Sequence, residues 1–460
     1  MKRLTILCLF LVIISGLWAQ SIDNSFELPL DQVLTEVERR FQVHLEYDSE
    51  WVDTLEVRFA RWRFQSELET TLYNVLGPLD LVFSKKSDSV YVVLPFRYYV
   101  RSVEEGKKHL ERLAGLSPDL ESWNARKENL RTCLFEALSL DPLPQKNELN
   151  PIYTTAEMMD GYSVEDVALE TLPGVYISGS LYKPAQLKGK SPAILLAQGH
   201  GDMQHYHESS QKLAASLARM GAVVFSYDMF AKGESGLQFP YGAHRTGLAQ
   251  SMQTWNSIRV LDFLCSLPDV DSQRVGMTGA SGGGTQTFLL TALDDRVAAS
   301  APVVMVSSWF FGGCPCESGM PIHACGRWGT NNAEIAAMAA PRPMLVVSDG
   351  GDWTAHVPEI EFPFIQDRYS LYGKPALVQN VHFPDEKHDY GPSKRKAVYG
   401  FFADVFTLDL NSVLDAEGKV TEELVTVQPL EKMLVFGRNG ESLPQNAIHG
   451  IDELKKLLEQ

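Results

Sequence analysis

After its first fourteen residues this chain has no apolar run near the roughly 20 residues a helix needs to cross a bilayer, so no transmembrane segment is expected. Basic residues are also in deficit. Against 58 Asp and Glu stand 41 Lys and Arg, a formal charge of −17, which argues against nucleic acid or an anionic membrane as partner and fits neutral or mildly charged substrates. Cysteine is scarce, and Cys8 sits inside an apolar run without small residues before it, so a lipoprotein anchor is not expected. Cys314, Cys316 and Cys325 cluster in sequence. One pair among them is a disulfide candidate in an oxidising compartment, a zinc site with His323 is the sharper alternative, and reduced buried thiols are the plain one.

What is present begins with a leader-like start. Met1-Lys2-Arg3, the apolar run 4–14 and the small residues Ser15, Gly16 and Ala19 have the three regions of a secretory signal peptide, with cleavage expected after Ala19 and a periplasmic or secreted destination. At 460 residues the chain has room for two or three units. Residues 20–100 read as a small α+β module in which Leu30, Val33, Leu34 and Val37 recur at helical spacing, with an overall order of roughly β-α-β-β-α-β. Residues 101–160 read as a charged helical linker packed on a larger domain, with Trp123, Leu130, Leu134 and Leu138 as its apolar stripe. From 161 to 409 strands alternate with helices, and the apolar runs are long enough to be buried on both faces. The expected architecture is a mostly parallel sheet flanked by helices. Residues 410–460 form a C-terminal extension without legible chemistry.

The richest signal is Gly279-Ala280-Ser281-Gly282-Gly283, after the strand-like run 274–278 and before a helix-like run through Leu293. It reads as a nucleophile elbow, a sharp turn whose small residues let strand and helix approach while the serine stays exposed. A serine hydroxyl needs a histidine base, and that histidine needs an acid to fix its tautomer. Downstream, strand 343–348 is followed by Asp349-Gly350-Gly351-Asp352, and strand 376–381 by Glu386-Lys387-His388-Asp389-Tyr390-Gly391. Asp352 is the candidate acid with Asp349 its rival. His388 is the candidate base, with His356 and His382 as alternatives. The oxyanion of acyl transfer requires fixed N–H donors; Gly282 supplies one, and by position the His200 amide supplies the other, with Gly201 next. The loop 307–332 carries Trp309, Phe310, Phe311, Arg327 and Trp328 where a cap over the site is expected. The segment Asp228–Ser235 reads as structural turns. No metal and no organic cofactor are needed by this chemistry.

Together, Thr278–Gln286, Gly199-His200-Gly201, Asp228 with Gly233-Glu234-Ser235, Ala340-Pro341-Arg342-Pro343 and the loop around His388 resemble the exported α/β-hydrolases described as acetyl xylan esterase-like. These are relatives of dienelactone hydrolases and of the family containing cephalosporin C deacetylase. The resemblance implies the α/β-hydrolase fold and a serine esterase acting on small or polysaccharide esters, acetyl esters first. A serine peptidase is the alternative, and so is a dead hydrolase domain serving a binding module. The N-terminal module resembles the short N-terminal domain of secretins and TonB-dependent receptors, which implies docking of a protein or glycan.

Overall fold

The computed structural model describes residues 27–459 apart from positions 59, 99, 188 and 319. The expected leader and its cleavage after Ala19 lie outside the described residues. The chain divides into two compact units, one ending at Phe96 and the other running from Arg97.

In the first unit the apolar spacing read from sequence is used. Helix Leu30–Phe41 buries Leu30, Val33, Leu34 and Val37, and helix Leu68–Leu76 buries Leu72, Val75 and Leu76, all in one core with Leu45, Val57, Tyr91 and Val93. The strands are β1 (Glu27–Pro29), β2 (His44–Glu46), β3 (Glu56–Arg58), β4 (Leu81–Ser87) and β5 (Val90–Pro95). β1 pairs with β3, and β2-β5-β4 form a separate sheet. Strands and the two longer helices follow in the order β-α-β-β-α-β-β, and the last two strands, β4 and β5, close into an antiparallel hairpin at Asp88-Ser89.

The second unit is built on a ten-stranded sheet. Its strands are β6 (Ile152–Tyr153), β7 (Glu157–Met158), β8 (Tyr162–Leu172), β9 (Val175–Pro184), β10 (Ser191–Ala197), β11 (Val223–Tyr227), β12 (Val270–Ala280), β13 (Val297–Val303), β14 (Met344–Asp349) and β15 (Val378–Phe383). The spatial order is β15-β14-β13-β12-β10-β11-β9-β8-β6, with β7 also on β8. Neighbours from β15 through β11 run parallel, while β9, β8, β6 and β7 add antiparallel pairs at one edge. This is the α/β-hydrolase fold. The two-residue period of a strand divides each run between two cores. Ala193, Leu195 and Ala197 face one with Phe225, Val346 and Trp255, whereas Ile194 and Leu196 face the other with Val224, Leu345 and Val347.

One expected boundary moves. The sheet begins at Ile152 rather than 161, because β6 and β7 pair with β8. The helices of the expected linker, Val103–Leu116 and Leu120–Ala137, place Leu110, Leu113, Trp123, Leu130 and Leu134 in the main core of the second unit. The C-terminal extension packs on the same unit. Buried Glu234 accepts the backbone N–H groups of Val435 at 3.0 Å and Phe436 at 2.7 Å, and Leu454 enters the main core.

Cys325 is joined to Cys133, 192 residues away, rather than to Cys314 or Cys316. The bond ties helix Leu120–Ala137 to the loop 307–332, and Arg126 reinforces it by donating to Gly329 O at 3.2 Å and to the buried Glu334 carboxylate at 2.5 and 2.8 Å. A disulfide closing so long a loop removes much freedom from the unfolded chain. Cys133→Ser with Cys325→Ser is expected to lower unfolding stability by about 2–5 kcal/mol, read as a lower midpoint in guanidinium titration; an unchanged midpoint would refute this.

Candidate active site

The carboxyl ends of the parallel strands meet at a switch point. β11 and β12 flank β10 on opposite sides, the arrangement beside which open α/β sheets bind their ligands. Ser281 follows β12 at φ 57° and ψ −123° and caps helix Gly282–Leu293. Its N–H donates to Val303 O at 3.1 Å. That positive φ is strained for a non-glycine residue and persists only where the surroundings dictate it. They do: a Cβ at Gly279 would stand 2.6 Å from the carbonyl oxygens of Ala197 and Gly283, and one at Gly283 would collide with the Ala197 carbonyl. The third glycine has the same cause, since a Cβ at Gly284 would lie 2.7 Å from Met305 Cβ.

The loop after β10 lies directly on the elbow. A Cβ on Gly199 would be 3.4 Å from Ser281 Cβ and 3.7 Å from Gly282 N, and one on Gly282 would be 2.7 Å from His200 Cε1. As the first residue of its helix, Gly282 has an N–H without an intrahelical acceptor. The carbonyls of the β10 loop are tied elsewhere. Gln204 Nε2 donates to Gly199 O at 3.0 Å and also to Gly201 O, and Lys232 Nζ donates to His200 O at 2.5 Å. Gln204 Oε1 in turn accepts Met229 N–H at 2.8 Å. Neither Gln204 nor Lys232 stands out in the sequence, and only the fold brings Lys232 to this loop.

The two downstream loops also meet. His388 Nδ1 donates to Asp352 Oδ2 at 2.6 Å, and because a carboxylate only accepts, the proton is fixed on Nδ1 and Nε2 is left basic. Asp352 Oδ1 takes both the N–H and the hydroxyl of Thr354 at 2.6 Å. The Asp352 side chain is buried, while the His388 side chain is 31% exposed and therefore reachable. Tyr390 OH and Thr278 Oγ1 lie 2.6 Å apart, fastening the histidine loop to the strand that carries Ser281.

Asp349, the rival acid, points elsewhere. It ends β14 and pairs with the buried Lys394 ammonium at 3.1 Å; burial, with the Asp352 carboxylate beside it, pushes its pKa up. Lys394 also bonds Asp389 Oδ1 and Lys387 O at 2.7 Å, so one buried cation holds the acid and histidine loops together. His382 lies in β15 and bonds Ser348 Oγ at 2.9 Å, and His356 is exposed in a run of turns ahead of helix Glu361–Leu371 rather than starting a helix. Of the aromatic loop, Phe310 stacks on Trp353 at 4.1 Å, and Trp353 packs 4.4 Å from the His388 ring. Phe311 is fully buried against His323. Trp328 is exposed with Arg112 and Arg327 over its ring at 4.9 and 5.4 Å.

The alternative zinc grouping of Cys314, Cys316 and Cys325 with His323 is not formed. Cys325 is in its disulfide, and His323 Nε2 is paired with Asn332 Oδ1 at 2.9 Å.

The X-Pro dipeptidyl-peptidase (S15) family model matches residues 173–345. Among solved structures, that of methylesterase BT1017 is 44% identical, with a TM-score of 0.75, covering 96% of this chain and 99% of that one. This chain belongs to the methylesterase BT1017 family. Within this BT1017-family chain the S15 match takes in the β10 loop and the elbow and stops before Asp352 and His388. Other relatives match in part. The uncharacterized protein PA2218 of Pseudomonas aeruginosa is 30% identical over 127 residues, 27% of this chain and 32% of that protein. The uncharacterized peptidase YuxL of Bacillus subtilis is 24% identical over 243 residues, 49% of this chain and 35% of its own length. The chain thus spans about a third of each of these two relatives.

Proposed function

We propose that this protein is an exported serine esterase that hydrolyses methyl esters by way of an acyl-enzyme. The observation that carries the mechanism is the 2.6 Å bond from His388 Nδ1 to Asp352, which leaves Nε2 free to act as base. His388 takes the Ser281 proton as Oγ attacks the ester carbonyl, and the amides of His200 and Gly282 receive the oxyanion. The protonated imidazole then gives its proton to the departing methanol oxygen. A water deprotonated by His388 releases the carboxylic acid and restores Ser281.

The likeness to methylesterase BT1017 moves the substrate reading from acetyl to methyl esters. The two differ in which half stays on the serine: an acetyl ester leaves a two-carbon acyl group there, whereas a methyl ester leaves the whole acid and expels methanol. We assign an acidic sugar chain as that acid: the loop 307–332 carries exposed Trp328 with Arg112 and Arg327 over its ring, and guanidinium groups pair with carboxylates. The Cys133–Cys325 disulfide supports an oxidising compartment. The N-terminal unit is assigned to docking of a protein or glycan, on its resemblance to the short domains of secretins and TonB-dependent receptors.

The S15 match favours a second reading, a serine peptidase. Side-by-side incubation with methyl-esterified pectin, acetylated xylan and an X-Pro p-nitroanilide separates the readings. Methanol is the expected product; acetate alone would make the enzyme an acetyl esterase, and nitroaniline alone a peptidase.

A further inference from the structure

Behind the β10 loop, four side chains from three separated stretches converge. They are His200 after β10, His244 at the end of the short helix Tyr241–His244, and Cys314 and Cys316 in the segment after β13. One donor atom from each lies within 4.8 Å of all the others. His200 Nε2 is 3.1 Å from Cys316 Sγ. A zinc ion with Zn–S near 2.3 Å and Zn–N near 2.0 Å sets donor separations of about 3.3–3.8 Å, so small side-chain rotations close this set around a metal.

Three further observations point to a ligand. His244 is fully buried, and its Nδ1 donates to the Phe230 carbonyl at 2.7 Å. That fixes the tautomer with a lone pair on Nε2, which has no hydrogen-bond partner. A carbonyl behind the ring and a bare nitrogen in front is the usual arrangement of a metal-bound histidine. Next, Cys314 and Cys316 are buried free thiols in a chain whose Cys133 and Cys325 are oxidised; two neighbouring thiols that stay reduced beside a disulfide need protection, and metal ligation provides it. Finally, Arg245 Nη1 stands 3.8 Å from Cys314 Sγ, a cation suited to a thiolate.

We propose that His200, His244, Cys314 and Cys316 bind one zinc ion as a closed Cys2His2 site. Four protein ligands fill a tetrahedron and leave no position for water, so the ion is structural and not a source of hydroxide. Its place gives it a task. The His200 ring lies against Gly282 of the elbow, so the metal pins the residue whose amide is assigned to the oxyanion, together with the segment leading into the aromatic loop. The metal assignment stands apart from the esterase reading; only its effect on turnover rests on that reading.

The test begins with the full-length protein, its metal content measured by inductively coupled plasma mass spectrometry after gel filtration. About one zinc per chain is expected, falling below a tenth in Cys314→Ser with Cys316→Ser and in His244→Ala. Ser281→Ala should retain its zinc while losing turnover, which keeps failure of the metal site distinct from failure of the mechanism. Cobalt(II) added to chelator-treated wild-type protein should give the absorption of a tetrahedral thiolate site, a readout that does not depend on the variants folding. The proposal is overturned if the wild-type chain binds neither ion with both thiols open to a thiol reagent, or if its mass shows Cys314 and Cys316 joined as a disulfide.

Discussion

Ser281→Ala is expected to lower methanol release by about 10⁵- to 10⁶-fold while leaving the circular dichroism and melting temperature unchanged. The size follows from the kind of catalysis. Without Oγ there is no acyl-enzyme, and what remains is binding and the oxyanion donors acting on direct attack by water. The fold should be indifferent, because the strained φ of 57° is already borne by a residue with a Cβ, and alanine adds no atom that could meet Gly199 or Val303. Reaction with a fluorophosphonate probe should disappear in the same variant. Residual turnover above about 1% of wild type, well over the usual remainder for a triad nucleophile, would remove Ser281 from the chemistry. Failure of the wild-type chain to react with the probe would favour the reading in which the hydrolase domain is dead and serves a binding module.

Asp352→Asn should cost about 10⁴-fold in kcat, since an amide can donate to Nδ1 and so stabilise the tautomer whose Nε2 is already protonated. Asp349→Asn is the informative companion. Its ion pair with Lys394 is wholly buried, and breaking such a pair costs stability; Lys394 keeps Asp389 and Glu386 as partners, which places the loss near the low end, about 3 kcal/mol. The two variants should therefore separate cleanly, one folded and nearly inactive, the other less stable with kcat within about tenfold of wild type in the folded fraction. Stopped assays paired with urea titrations check both. If Asp349→Asn abolished turnover and Asp352→Asn spared it, the acid would have to be reassigned.

Local chemistry is what made much of this readable from sequence. The parallel sheet follows from alternating runs of strand and helix, and Gly279, Ser281 and Gly283 announce a turn that tolerates no other shape. The loop after β10, the loop 349–352 and the loop that carries His388 follow from counting strands, because each lies directly after one. Which carboxylate of Asp349 and Asp352 turns toward the histidine was beyond that method; three residues along a loop say nothing about direction, and it is Lys394, 42 positions beyond Asp352, that draws Asp349 away. The same holds for Cys133, whose partner is 192 residues distant, and for His244, which no spacing rule links to Cys314 and Cys316. Lys232 is an ordinary polar residue until folding sets its ammonium against the His200 carbonyl. Sequence carries what is local, and these contacts are tertiary.

The single ammonium of Lys394, shared by Asp349, Glu386 and Asp389, has a consequence for how such an enzyme can change over generations. Length changes in the acid loop or the histidine loop would drag the other with them, so neither is free to drift toward a new substrate. The segment 307–332 is anchored instead to the helix Leu120–Ala137, through Cys325 and Arg126, on moorings that leave the acid and the base alone. New specificities in this lineage are then expected to arise by insertion and replacement around Trp328, away from the Phe310–Trp353 stack that packs on His388.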